Sequence, residues 1–140
     1  MLEVAQSLAA LHGRRTSHGN LKLENVIVAT DESGAHRVQL QDGGADLLGS
    51  RRAPNGHIEV LSLASPKTVA PERLRGSERD PSGDVYAFGA MCYELVCGTP
   101  PFPAKTALDA AVSHLTVTPD APSKLAPAGW VSDAFDAFIL

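Results

Sequence analysis

An imidazole, two carboxamides, an ammonium and a carboxylate crowd into one octapeptide near the start of the chain, His18-Gly19-Asn20-Leu21-Lys22-Leu23-Glu24-Asn25. Asn20 is its most telling member. A carboxylate can take a proton at neutral pH; a carboxamide cannot, although it can still accept a hydrogen bond and orient a hydroxyl. Further on, Asp42-Gly43-Gly44 sets an acid before two glycines that loosen the backbone. Other chemistries are disfavoured. Cys92 and Cys97 fall in one expected helix at an offset that points them to different faces, so they read as two buried thiols rather than a disulfide. There is no C-x-x-C and no closely spaced His/Cys set, so no zinc site is expected. His12, His36, His57 and His114 have no partner at metal-ligand spacing and read as surface or satisfied histidines.

The octapeptide resembles the catalytic loop of protein kinases, H-R-D-L followed by three residues and N. His18, Leu21, Lys22 and Asn25 match in order and spacing, while Gly19 and Asn20 depart. Four further landmarks follow in the family's order. Asp42-Gly43-Gly44 stands in the place of D-F-G, and Ala70-Pro71-Glu72 in that of A-P-E. Gly83-Asp84-Val85-Tyr86-Ala87-Phe88-Gly89 resembles the opening of the central helix of the kinase C-lobe, and Gly98-Thr99-Pro100-Pro101-Phe102 its end. His114-Leu115, Pro122 to Leu125 and Val131 to Leu140 are similar to the same region of bacterial Ser/Thr kinases.

The resemblance implies a fold that is mainly α with a small β-hairpin: a protein-kinase-like C-terminal lobe, with residues 1–140 as a partial domain. No G-x-G-x-x-G and no V-A-I-K lysine occur, so the N-lobe is absent from the sequence. The family's later helical segment, whose arginine pairs with the A-P-E glutamate, is not found either, so Glu72 lacks that partner. A fragment is the expected reading.

Residue by residue, the resemblance puts Asn20 where the family has its proton-accepting Asp. Gly19 replaces an arginine that in many kinases pairs with a phosphorylated activation-segment residue, so phosphorylation of Ser62, Ser65 or Thr68 would lack that switch. Ser65 stands where the family places a threonine that braces the catalytic loop. Lys22 matches the lysine that meets the transferred phosphate. Asn25 and Asp42 match the two magnesium positions, a weak or vestigial pair here, since Mg²⁺ draws its other ligands from nucleotide phosphates and water. Gly43 removes the D-F-G aromatic. His18 and Asp84 have structural roles: the first packs and bonds backbone near D-F-G, and the second accepts backbone N–H groups from the catalytic loop.

The elements that must position these residues are legible in the pattern. Val4, Leu8 and Leu11 form a helical stripe over residues 2–12, stopped by Gly13. Val26-Ile27-Val28 and Arg37 to Gln41 flank the turn residues Asp31-Glu32-Ser33-Gly34, a hairpin over 26–41. Residues 42–72, rich in Gly, Pro, Ser and Arg, form an activation segment expected to be mobile in part. Asp80-Pro81-Ser82 starts a helix to about Val96 that is apolar on nearly every side and therefore expected to be buried all round. A shorter helix at 106–115 has Ala107, Leu108, Ala111, Val112 and Leu115 on its apolar side, and a last one starts at Ser132.

At 140 residues the chain has a single-domain length, enough to bury roughly two-thirds of its unfolded surface. The net charge of −4 is scattered, and Arg14-Arg15 and Arg51-Arg52 are isolated pairs, so no nucleic-acid stripe or polybasic membrane patch is present. There is no signal-peptide block and no membrane-length apolar run, which makes a cytoplasmic protein the default. The expected function is an inactive kinase-like lobe, a pseudokinase, serving as a regulatory or interaction module or an incomplete relic. The alternative is part of an ATP-dependent Ser/Thr kinase acting on proteins. No cofactor is expected for the chain itself, and ATP and magnesium if it belongs to an active kinase. A protein partner is expected in the groove beside the helix at 106–115, with self-association through exposed apolar surface.

Overall fold

A computed structural model describes residues 1–43 and 66–140 of the chain. Gly44, Arg51, Arg52, His57, Ser62 and Ser65, and the expectations attached to them and to the rest of residues 44–65, lie outside the described residues. The described part is mainly helical with one two-stranded hairpin.

Helix α1 (Leu2–His12) turns Val4 and Leu8 inward. A 3₁₀ turn at Leu23–Asn25 leads into strand β1 (Val26–Thr30), which pairs antiparallel with β2 (His36–Leu40) in the register Val26 to Leu40 and Val28 to Val38. The connection is held by the Asp31 side chain, whose Oδ1 accepts from the N–H groups of Ser33 and Ala35 at 2.9 and 3.0 Å. These bonds hold the Asp31 carboxyl below its ordinary pKa, the Ser33 hydroxyl contributing most. Across the hairpin edge, Glu3 of α1 accepts the Val38 N–H at 2.9 Å, satisfying a strand donor that has no ladder partner.

After a 3₁₀ turn at Pro66–Thr68 and the single turn α2 (Pro71–Leu74), helix α3 (Pro81–Cys97) crosses the centre. Its ends are strongly specified. Asp80 caps the N-terminus by accepting from Ser82 and Gly83 N–H, Pro81 occupies the first turn, and Gly98 closes the C-terminus at φ 72°. Val4, Leu8, Leu21, Ala87 and Met91 form the core, with Leu23, Val26, Val38, Leu40 and Phe88 packed around it. Met91 and Tyr93 are sealed from solvent. Burial of α3 is not complete all round, however. Val85 and Leu95 are 61% and 50% exposed, because the elements packed on α3 leave those sides uncovered among the described residues.

Helix α4 (Ala107–Thr116) is capped by Thr106, and the side it buries is not the whole of its apolar side. The face turned inward carries Ala110, Ala111 and His114, while Leu108 and Val112 stay exposed. Small side chains let α4 lie close against α2 and the Pro66–Thr68 turn, which a leucine face would hold off. The single turn α5 (Pro122–Leu125) and helix α6 (Asp133–Ile139) complete the chain, joined by the Ser123 N–H to Asp136 at 2.9 Å.

Candidate functional site

The octapeptide is held from beneath by one carboxylate. Asp84, in the first turn of α3 and 2% exposed, accepts the His18 N–H at 2.7 Å and the Gly19 N–H at 2.8 Å. His12, at the last turn of α1, brings its Nε2 to the same carboxylate at 2.9 Å. A buried carboxylate is costly unless its oxygens are all engaged, and here three groups from two regions engage them. The helix N-terminus adds its favourable dipole. Asp84 thus fixes the backbone direction entering Asn20.

Beyond that point each peptide has its own tie. The Asn20 N–H reaches the His18 Nδ1 at 3.3 Å, and the Asn20 carbonyl accepts from Asn25 Nδ2 at 2.8 Å. The Leu21 carbonyl accepts the Thr68 hydroxyl at 2.7 Å, a buried bond that straps the loop to the Pro66–Thr68 turn. Nothing in the sequence had assigned Thr68 that tie; a single hydroxyl in a loop carries no periodic signal. Lys22 is half-buried and opens the 3₁₀ turn in extended conformation.

The two candidate metal ligands flank the open end of the hairpin, Asn25 before β1 and Asp42 after β2. The Gln41 N–H donates to the Asn25 carbonyl at 2.9 Å, and Asp42 follows one residue later. Asp42 is exposed at φ 56°, a left-handed conformation in which aspartate is among the few tolerated side chains. Asn25 is 5% exposed; with its amide N–H on the Asn20 carbonyl, Oδ1 is the atom left for a cation. An amide oxygen and a carboxylate are the hard donors magnesium prefers, so this pair fits that ion. No group of three or more His, Cys, Asp or Glu side chains gathers at metal distance among the described residues.

His18 is 2% exposed, and a Cβ on Gly43 would sit 3.5 Å from its ring, in ordinary contact. Burial pushes the His18 imidazole below its ordinary pKa, and the Arg79 cation adds to this, against the pull of Asp84, the Gln41 carbonyl and Asp42. Glu72 lies apart from the loop and accepts the Ser82 hydroxyl at 3.3 Å, so it is tied to the α3 N-terminus.

A second polar cluster lies under α4. The Tyr86 hydroxyl meets His114 Nδ1 at 2.6 Å, and Phe102 stands edge-on to the same imidazole at 4.7 Å between centroids. Burial, then the Glu72 charge, pushes the Tyr86 phenol up to about 12. Burial lowers the His114 pKa against the Lys67 and Pro66 carbonyls. Beside the cluster is a cleft of about 460 Å³ lined by Pro66, Lys67, Phe102, Pro103, Thr106 and Ala110 among others. Lys67 also faces Glu94 at 3.8 Å. No helix among the described residues is long and apolar enough to cross a membrane.

Comparison with known proteins agrees with this frame. The protein kinase domain model matches residues 1–137. The chain is 29% identical over 140 residues to the serine/threonine-protein kinase pkn3 of Myxococcus xanthus, covering 99% of this chain and 26% of that protein. It is 34% identical over 128 residues to the serine/threonine-protein kinase PkaA of Streptomyces coelicolor, covering 91% and 23%. For PknF of Mycobacterium tuberculosis the values are 32% over 119 residues, 84% and 25%. The chain belongs to the protein kinase family, and its helical body with one hairpin is a kinase-like fragment of that fold. It spans about a quarter of the length of these relatives.

Proposed function

We propose that residues 1–140 are a protein-kinase C-lobe that no longer transfers phosphate and acts as a regulatory or interaction module. One observation carries this reading. The loop is fully braced around position 20, and the side chain so presented is a carboxamide. Loss of a general base removes on the order of 10²–10⁴-fold of rate. Catalysis of phosphoryl transfer is otherwise positioning and electrostatics, so an intact scaffold does not replace the missing proton acceptor. Gly43 points the same way, since it cannot supply the aromatic packing of the family's residue. The partner we assign is another protein, docked beside α4 where the cleft lies, and not a nucleic acid, in keeping with the net charge of −4. Its compartment on this reading is the cytoplasm.

The second reading, a piece of an ATP-dependent Ser/Thr kinase acting on proteins, is favoured by the Asn25–Asp42 oxygen pair and by the names of the relatives. In that setting Asn25 and Asp42 would hold magnesium, which neutralises phosphate charge, and Lys22 would meet the phosphate.

The two are separated by ATP turnover and nucleotide-dependent thermal shift on the natural chain, on Asn20→Asp, and on each of these fused to an intact N-lobe. The inactive reading expects turnover only in the fused Asn20→Asp protein. Turnover by the natural sequence, alone or fused, that is lost on changing Asp42 to Ala overturns it.

A further inference from the structure

Gly19 sits at φ 74°, and the space above its Cα is taken. A Cβ built there would lie 2.8 Å from Cζ, Nε and Nη1 of Arg79. The half-buried guanidinium therefore rests on the Gly19 backbone, at the peptide whose N–H goes to Asp84. Arg79 immediately precedes the N-cap Asp80, and Asp84 lies in the first turn beyond it, so one segment delivers both charges to the loop. The octapeptide itself has lost the arginine that the family resemblance puts at position 19.

We propose that Arg79 is the positioning residue of this loop, its guanidinium occupying from outside the place of a position-19 side chain, so that Gly19 and Arg79 are a compensated pair. The change at position 19 is then a relocation of a cation rather than its loss. This holds whether or not the lobe is active, because it concerns how the backbone at residues 18–20 is held. A guanidinium suits that place, being planar, weakly hydrated and permanently charged, so it can lie flat on a peptide while remaining ionised. A glycine on the other side is the only residue that offers such a surface and tolerates the left-handed backbone at no steric cost. Because Arg79 ends in a flexible stem, a side chain introduced at position 19 displaces the guanidinium rather than breaking the fold.

The test is amide hydrogen exchange on the full chain, read at His18 and Gly19, with Val28 and Val38 of the hairpin as internal reference. Arg79→Ala is expected to speed exchange at the two loop amides by about tenfold and to leave the reference unchanged. Arg79→Lys, which keeps charge and stem, should recover part of the protection. Gly19→Ala is expected to expose the loop amides in the natural background, and to do less additional harm when Arg79 is already Ala. Gly19→Asn, which accepts the left-handed conformation, serves if the alanine variant does not fold. Unchanged loop exchange in Arg79→Ala overturns the proposal. So do effects of Gly19 and Arg79 substitutions that simply add, and a loss spread equally to Val28 and Val38.

Discussion

The octapeptide loop and the C-terminal helices are held in different ways. Residues 18–25 carry a hydrogen-bond tie at nearly every peptide, to Asp84, Thr68 and Asn25, and sit on the Val4–Leu8–Met91 core. Residues 107–140 are held by small inward side chains and a few caps, while Leu108, Trp130, Phe138 and Leu140 are each at least 60% exposed. The C-terminal region has polar ties of its own, the Tyr86–His114 and Ser123–Asp136 bonds, but they are side-chain contacts between elements and do not follow one stretch of backbone as those of residues 18–25 do. The hydrogen bonds that shape the loop use main-chain groups and the side chains of His18, Asn25, Thr68 and Asp84, so none of them depends on the side chain of residue 20.

Removing the buried anchor should produce the largest effect. Asp84→Ala leaves the His18 and Gly19 N–H groups and the His12 ring without their acceptor, at a cost of about 3–5 kcal/mol in denaturant unfolding. A loss of no more than about 0.5 kcal/mol, the range of ordinary surface changes, would erase the contrast between the two regions. Next comes the apolar half of the same anchor. Met91→Ala should cost about 2–5 kcal/mol, since Met91 is 0% exposed. Phe88 is only partly buried, so Phe88→Ala should fall below the fully buried value of about 3–5 kcal/mol. If Phe88 proves the costlier of the two, the core has been drawn on the wrong side of α3.

Legibility in the sequence followed the same division. The ends of α3 were readable because Asp80-Pro81-Ser82 and Gly98 are local signals, and the hairpin because Asp31 to Gly34 separates a β-branched run from one that alternates polar with apolar. The octapeptide was readable as a motif. Its supports were less so. The His12 contact with Asp84 spans 72 residues and the Thr68 tie to Leu21 spans 47, and no spacing rule reaches so far. Arg79 over Gly19 was invisible for the same reason: a glycine in a motif reads as an absence until its neighbour is placed. The inward face of α4 was not legible in the pattern of apolar residues. On a ten-residue helix, Ala110, Ala111 and His114 give a weaker hydrophobic signal than Leu108 and Val112, yet close approach favours the small residues.

Acidification probes both regions at once. Burial lowers the pKa of His18 in the loop and of His114 under α4. For each, the unfolded chain binds protons more readily than the folded one, so stability rises with pH across the interval between the folded and unfolded values. The contribution is present above the ordinary value of 6.5 and is lost as pH falls through the folded pKa. Denaturant midpoints measured from pH 7.5 to 5 should therefore decline, and His114→Phe should flatten the decline without abolishing it, because His18 remains. A flat profile in the natural chain would mean that neither imidazole is desolvated, and a profile unaltered by His114→Phe would confine the effect to the loop.

The smallest stability effect should accompany the clearest change in association. Trp130, Phe138 and Leu140 are 69%, 65% and 60% exposed, and exposed apolar area of this kind favours contact with another surface. Trp130→Ser with Phe138→Glu removes aromatic area that the folded chain scarcely uses, so unfolding should shift by no more than about 0.5 kcal/mol per site. Phe138→Glu adds negative charge near Asp133 and Asp136, which opposes self-contact further. Light scattering over a concentration series should show the natural chain growing in mass and the double variant remaining at one size. If the natural chain stays monomeric at high concentration, the exposed aromatics do not drive association. If the variant loses several kcal/mol of stability, α6 is packed more like the loop than like an open face, and the contrast between the two regions narrows from the other side.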